Sequence, residues 1–356
     1  MRNELASLAD IDRFDDVIDV RTPAEFAEDH IPGAINAPVL SDEERVIVGT
    51  MYKQVSPFEA TKYGAALVAR NIAQHLDTLF HDKPINWKPL IYCWRGGKRS
   101  GSVTTWFRLI GWKAYQLEGG YKTYRHHVLE QLNALPRQFR LLVLCGLTGS
   151  GKTRLLRALG DLGMQILDLE ALAKHRGSLL GAVPGHPQPS QKCFDSALLY
   201  AMQSLDPEQP VFVEAESRKI GQIQLPETLM QAMADSQCIH VEANLDDRVN
   251  FLCEDYATLF EATDAFKNLL SRLVELHGRQ VITRWHELID SGAKAELFRE
   301  LIEQHYDPAY RRSSQRLFPG LHQALSFHFH PNAADLALEA RRLLTVLATQ
   351  PASGTN

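Results

Sequence analysis

The chain has 356 residues, 45% of them apolar and 23% charged, a mix that suits a folded two-domain protein and excludes a disordered one. Mean hydropathy is -0.22; no apolar stretch is long enough to span a membrane, and the first residues lack the apolar core of a secretory signal. Net charge is -5 but unevenly spread: residues 1–50 carry twelve acids against four arginines, and residues 83–140 carry eleven Lys and Arg against only Glu118 and Glu130. A basic block of that size suits a polyanion such as RNA. Five cysteines with no CxxC pair exclude a disulfide framework or a Cys-based zinc site, so reduced thiols in a cytoplasmic protein are expected.

In chain order, Asp16–Val20 is a short apolar run of the kind a buried parallel strand makes. Thr22-Pro23-Ala24-Glu25 then predicts a helix start, with Thr22 as cap, Pro23 in the first turn and Glu25 completing a capping box. His30–Asn36 is a Pro/Gly-punctuated turn into another strand. A helical stretch over about 57–80 follows, then the strand Pro89–Tyr92, a Gly-rich loop, a helix over about 100–109 and the strand Lys113–Leu117. Strands alternating with helices predict a parallel sheet covered on both faces. The pattern breaks at Pro136, which sets an expected boundary between domains 1–135 (core about 10–130) and 136–356. The second half opens with the strand Leu141–Cys145 and has further candidate strands at Met164–Leu167, Val211–Val213, Cys238–Val241 and Leu325–Phe329. It is strongly helical over about 246–304 and again over 333–348, and the polar tail 351–356 is expected to be disordered.

Two loops carry anion chemistry. Gly146-Leu-Thr148-Gly149-Ser150-Gly151-Lys152-Thr153 fits GxxxxGK(S/T) between an apolar strand and a helix. In that setting backbone amides and the helix dipole converge on phosphate, Lys152 reaches the terminal phosphates and Thr153 is the candidate ligand for Mg²⁺; no other metal site is expected. Val211–Glu214 reads as the partner strand, which makes Glu214 and Glu216 candidates beside the phosphates, or ordinary strand-end carboxylates. The other loop, Cys93-Trp94-Arg95-Gly96-Gly97-Lys98-Arg99-Ser100, puts a cysteine at the end of a buried strand, ahead of a helix N-terminus and three cations. That field favours thiolate, so Cys93, Arg95, Lys98 and Arg99 form the second candidate catalytic set, against the plainer reading of a buried structural cysteine. Cys145 reads as packing.

The first half resembles a rhodanese domain, through Asp19-Val-Arg21-Thr-Pro-Ala-Glu25-Phe26, His30-Ile-Pro-Gly-Ala-Ile-Asn36, the Cys93 loop and Leu117-Glu-Gly-Gly120. Five residues separate Cys93 from Arg99 where that family usually has four. A longer loop also occurs in the related cell-cycle phosphatases, but those would place an acid and not Lys98 beside the arginine. Fused to a P-loop half, the whole resembles the tRNA 2-selenouridine synthase family. Asp168-Leu-Glu170, His175-Arg-Gly-Ser178, Gln188-Pro-Ser-Gln-Lys192 and Glu214-Ala-Glu-Ser-Arg-Lys-Ile-Gly221 add to the match, which thins beyond residue 221. The resemblance implies a fold of two α/β domains, rhodanese-like and then P-loop with a helical extension. It implies a transferase that turns wobble 2-thiouridine of tRNA into 2-selenouridine, first alkylating the sulfur from geranyl diphosphate and then introducing selenium from selenophosphate through Cys93, as a Cys–Se–H species. His175, Arg176, Arg218 and Lys219 would then contact tRNA or diphosphate, or serve only as surface and capping residues. No obligatory cofactor is implied; the partners are tRNA, exposed at its anticodon loop, and the enzyme that supplies selenophosphate, for a monomer without a membrane partner. The competing reading is a sulfurtransferase or phosphatase-like domain coupled to a regulatory P-loop NTPase.

Overall fold

Asp16–Asp19 is buried at its C-terminal end because it lies inside a sheet of five short strands, every one parallel to its neighbours. In this computed structural model, which describes residues 5–178, 180–181 and 185–349, the strands in chain order are β1 (Leu5–Ala6), β2 (Asp16–Asp19), β3 (Ile35–Asn36), β4 (Pro89–Tyr92) and β5 (Tyr115–Leu117). They lie in the order β1-β5-β4-β2-β3, so the Cys93 loop leaves the central strand, whose four residues are all buried. The first helix, Pro23–Glu28, has the cap the sequence predicts: the Thr22 hydroxyl accepts from the Glu25 N–H while the Glu25 carboxylate accepts from the Thr22 N–H. An additional helix, Asp42–Gln54, precedes Pro57–Thr78; Ser41 and Glu44 form its capping box, and the two helices pack together. Aromatic residues Phe80, Trp87, Phe107 and Trp112 stack edge to face in the core beneath Val103 and Ile91.

The second sheet contains β6 (Leu141–Cys145), β7 (Gln165–Leu167) and β8 (Val211–Glu214), then, after the hairpin β9 (Lys219–Ile220) and β10 (Ile223–Gln224), β11 (Gln237–Glu242) and β12 (Leu325–His328). Its order is β12-β11-β6-β8-β7, again all parallel. From β6 the chain runs first to one side and later to the other. The C-terminal end of β6 is therefore the point where the winding reverses, the place where open α/β sheets bind ligands. Between β11 and β12 the chain inserts the helices expected from the sequence, from Leu245–Asp255 to Asp307–Leu317, around a core of their own that includes Trp285, Phe266 and Phe298.

Two compact units result. The first runs to Leu132 and also takes in Pro189–Tyr200; the second comprises Asn133–Gln188 and the chain from Ala201. The segment Pro189–Tyr200 is tied into the first unit by Arg125, which pairs with Asp195, and by Glu28, which accepts from Lys192. Residues 351–356, read above as a disordered tail, lie outside the described residues.

Candidate active site

In the first unit, Cys93 is 3% exposed at the end of β4. Its sulfur accepts from the Gly97 N–H at 3.3 Å and from the Ser100 hydroxyl at 3.1 Å, both at the start of the helix Lys98–Ile110. Gln116 on β5 donates to Ser100 Oγ at 2.9 Å and fixes that hydroxyl. The loop closes on a second glycine turn. Gly96 and Gly120 both have positive φ, and a Cβ on Gly120 would lie 2.3 Å from the Cys93 carbonyl oxygen and 2.5 Å from the Gly96 nitrogen. That close approach is why Gly119-Gly120 follows β5. It also lets the Tyr121 N–H bond the Cys93 carbonyl at 2.8 Å. Gly120→Ala should therefore cost more than about 2 kcal/mol, from the left-handed conformation together with the backbone overlap. Gly33→Ala, at a positive φ with nothing within 4 Å, should cost only the backbone share of about 1 kcal/mol. Urea midpoints of the two variants check the contrast.

The cations divide. Arg95 and Lys98 are exposed, whereas the Arg99 guanidinium is held by Glu25 at 2.7 and 3.3 Å. Burial raises the Glu25 carboxyl, but the hydrogen bond and charge of Arg99 carry it below its ordinary value. The motif Asp19–Phe26 thus supplies the group that orients Arg99 and, separately, a buried ion pair. Arg21, fully buried, binds Asp19, donates to the Asp29 carbonyl and lies 3.9 Å over the Tyr121 ring. Arg125, part of the basic block, is likewise committed to Asp195.

In the second unit, Gly151 takes a positive φ as the cap of the helix Lys152–Asp161. Lys152 Nζ curls back to the Gly146 carbonyl at 2.8 Å, and the Gly146 N–H donates to Tyr310 Oη at 2.7 Å. Arg248 braces the loop from the helical insertion, donating to the Thr148 carbonyl at 2.9 Å and pairing with Asp307. Beside the loop opens a cleft of about 560 Å³. Its lining includes Thr148, Gly149, Gly151, Lys152 and Thr153 of the P-loop, the charged Arg154, Arg157, Arg176 and Asp255, and Phe251, Leu252, Tyr256, Tyr306, Leu317 and Phe318 from the helical insertion. Ser150 faces a smaller cavity on the other side of the loop.

Glu214 and Glu216 both line the cleft, joined by Glu170, which does not end the partner strand but follows β7. Its signal was the Asp168-Leu-Glu170 segment after β7. Thr153 Oγ1 lies 3.0 Å from Glu214 and 3.2 Å from Glu170. Burial, then repulsion from the other two, pushes Glu170 up to about 10. Burial is also the main cause that raises Glu214 to about 7 and Glu216 to about 8, with like-charge neighbours adding. The Thr153 hydroxyl is thus committed to two carboxyls, and among the described residues no group of three His, Cys, Asp or Glu side chains is arranged to hold a metal ion. Because the folded-state values lie above the usual value of about 4.3 for an unfolded Glu, the folded protein binds the extra protons between pH 5 and 8. Stability should fall as pH rises through that window. Glu216→Gln should flatten the dependence, read as urea midpoints at pH 5.5 and 8.

The remaining candidates separate. Arg176 lines the cleft, bonded to Asp255. His175 is buried, its Nδ1 without a hydrogen-bond partner, and burial lowers its basicity; Gly181 and Gly221 crowd its ring and leave it off the cleft wall. Arg218 and Lys219 are exposed near the β9–β10 hairpin. Cys145 is buried, its thiol raised by a hydrogen bond with Cys238 and then by burial, as a packing residue would be.

A cysteine loop and a P-loop, each on the central strand of its own parallel sheet, define a rhodanese-like unit joined to a P-loop α/β unit. The rhodanese-like domain family matches residues 1–127, and the tRNA 2-selenouridine synthase AAA domain family matches residues 139–318. The chain belongs to the tRNA 2-selenouridine synthase family. It is 40% identical to the tRNA 2-selenouridine synthase of Nitrosomonas europaea over 67% of this chain and 63% of that protein. It is 32% identical to the enzyme of that name from Sulfurovum sp., over 85% of this chain and 91% of the relative. With that of Alcanivorax borkumensis the identity is 34%, over 85% and 92%.

Proposed function

We propose that this protein converts 2-thiouridine at the wobble position of tRNA into 2-selenouridine, and that its two units carry successive halves of the conversion. The P-loop unit alkylates the sulfur with geranyl diphosphate. The observation that carries this reading is the cleft itself, which is lined both by Lys152 and the P-loop backbone and by the apolar and aromatic side chains of the helical insertion. A nucleotide needs polar contacts to its base and ribose, whereas an allylic diphosphate needs an anion cradle and a greasy wall. The volume falls in the range of about 300–1,000 Å³ usual for small-molecule sites. When the C1–O bond of the allylic diphosphate breaks, its electron pair goes to the diphosphate, where Lys152 and the loop amides stabilise the growing charge. The S–C bond forms to the thiouridine sulfur.

Alkylation prepares the second half. Sulfur at C2 of the base is a poor leaving group until it carries the alkyl chain. Selenium then bonds to C2, the C2–S bond breaks, and the geranyl thiolate departs with the electron pair. The selenium comes from selenophosphate at the Cys93 loop: water takes the phosphoryl group, the P–Se bond breaks with its electron pair on selenium, and the selenide attacks C2 beside the Cys93 sulfur, which sits among the Gly97 amide, the Ser100 hydroxyl and the start of a helix. Mass analysis of an anticodon stem-loop carrying 2-thiouridine tests the reading. Geranyl diphosphate alone should yield the S-geranyl product, and added selenophosphate should yield 2-selenouridine. Hydrolysis of ATP in place of geranyl transfer would overturn it.

A further inference from the structure

Between the helices Lys294–Leu301 and Asp307–Leu317 the chain makes one wide turn of π-helix, Ile302–Tyr306. Such turns insert a residue into a helix and cluster at functional sites. This one presents His305 to the cleft. His305 Nδ1 lies 3.1 Å from Nε2 of His277, at the end of the helix Val274–His277, and the two rings stand edge to face. Trp285 backs His277 and Tyr306 backs His305.

Alkylation of the thiouridine sulfur releases a proton. A 2-thiouridine has a C2=S bond and a proton on N3. Once its sulfur carries an alkyl group, the neutral product has a C2=N3 double bond, and the N3 proton has left. A group in the cleft must take it.

We propose that His305 is the base that accepts this proton and that His277 is the positioning residue that keeps His305 in the accepting tautomer. With His305 Nδ1–H donating to His277 Nε2, the lone pair of His305 sits on Nε2, the nitrogen not engaged by His277. As the S–C bond forms, the N3–H electron pair becomes the C2=N3 bond and the proton passes to Nε2. Shift of the Nδ1 proton to His277 then spreads the charge over both rings. The inference rests on the alkylation reading and specifies which residue completes it.

Placement agrees. Tyr310, whose hydroxyl meets the P-loop at Gly146, is five residues beyond His305, and both line the cleft that the P-loop residues Lys152 and Thr153 line. The reacting carbon is bonded directly to the diphosphate, so the alkylated sulfur has to lie in that same cleft. His277, Tyr306 and Arg312 act directly on His305, and the same cleft is lined by the titratable or charged Tyr256, Tyr310, Arg176, Asp255, Glu170, Glu214 and Glu216. No carboxylate pairs with either imidazole among the described residues. Burial, His277 and Arg312 lower the basicity of His305, and burial lowers that of His277, so both are neutral near pH 7.

The test is single-turnover geranyl transfer to a 2-thiouridine stem-loop, measured from pH 6 to 9 with the full-length protein. His305→Gln should lose about 100-fold at pH 7, within the usual range for a general base. The deficit should shrink toward pH 9 as N3 ionises on its own, with the KM for geranyl diphosphate unchanged. His305→Ala should regain activity with added imidazole, and His277→Gln should lower kcat and not raise KM. A loss equal at every pH without imidazole rescue, or no loss at all, would overturn the base assignment and leave the alkylation reading standing. Absence of geranyl transfer by the wild-type protein would overturn both.

Discussion

Lys152→Ala is expected to abolish geranyl transfer while leaving intact the selenation of a tRNA already S-geranylated. The Lys152 ammonium donates to the Gly146 carbonyl, 2.8 Å away, which holds it at the P-loop that the diphosphate would occupy. One charge-assisted contact to phosphate is worth about 1.5–3 kcal/mol, or roughly ten- to 150-fold in binding. Charge that grows on the leaving diphosphate makes the contact stronger in the transition state, so kcat should fall as well. The helix itself should survive, because Lys152 is one of its first residues and alanine is a good helix former. Transfer from labelled geranyl diphosphate, compared with selenation of a pre-alkylated stem-loop, reads the two halves separately. Full transfer by the variant would mean that the P-loop serves another ligand.

The reciprocal result is expected for Cys93→Ser. Selenation should drop to background, and geranyl transfer should keep its kcat and KM, since the substitution touches neither binding nor the transition state of that step. Serine preserves the acceptor that the Gly97 amide and the Ser100 hydroxyl address, so the loop should keep its shape. What is lost is the thiol sulfur that the selenation half requires. Accumulated S-geranyl tRNA, seen by mass, is the positive signature. Equal loss of both activities in a folded protein would remove the division of labour between the units.

Both anion loops were legible because each is a local device: a buried strand, a run of glycines and a helix start, contiguous in sequence. The flanks of the alternating strands were legible for the same reason. The helix Asp42–Gln54 went unread although Ser41-Asp-Glu-Glu44 is a capping box; its exposed apolar residues Val46, Ile47 and Tyr52 blur the polar face that marks a surface helix. The role of Glu25 could not be read locally, since its partner Arg99 is 74 residues away. The same holds for Arg125, counted in the basic block but neutralised by Asp195. Glu170 joins Glu214 and Glu216 only because β7 lies beside β8. The π-turn at His305 leaves no composition signal at all, because a register shift in a helix depends on what packs against it.

Vectorial synthesis gives the inserted segment Pro189–Tyr200 a consequence for how the protein is made. Every strand of the first sheet has left the ribosome once Leu132 is out, yet Asp195 and Lys192, the partners of Arg125 and Glu28, arrive some 60 residues later. At roughly 5–20 residues per second that is a delay of about 3–12 s. By then the P-loop strand Leu141–Cys145 has emerged too. The N-terminal unit therefore cannot finish folding before its successor has begun, and a ribosome stalled anywhere between residues 133 and 188 would carry a nascent unit with an unneutralised Arg125. Cutting the gene at the sequence boundary would make that unfinished state permanent.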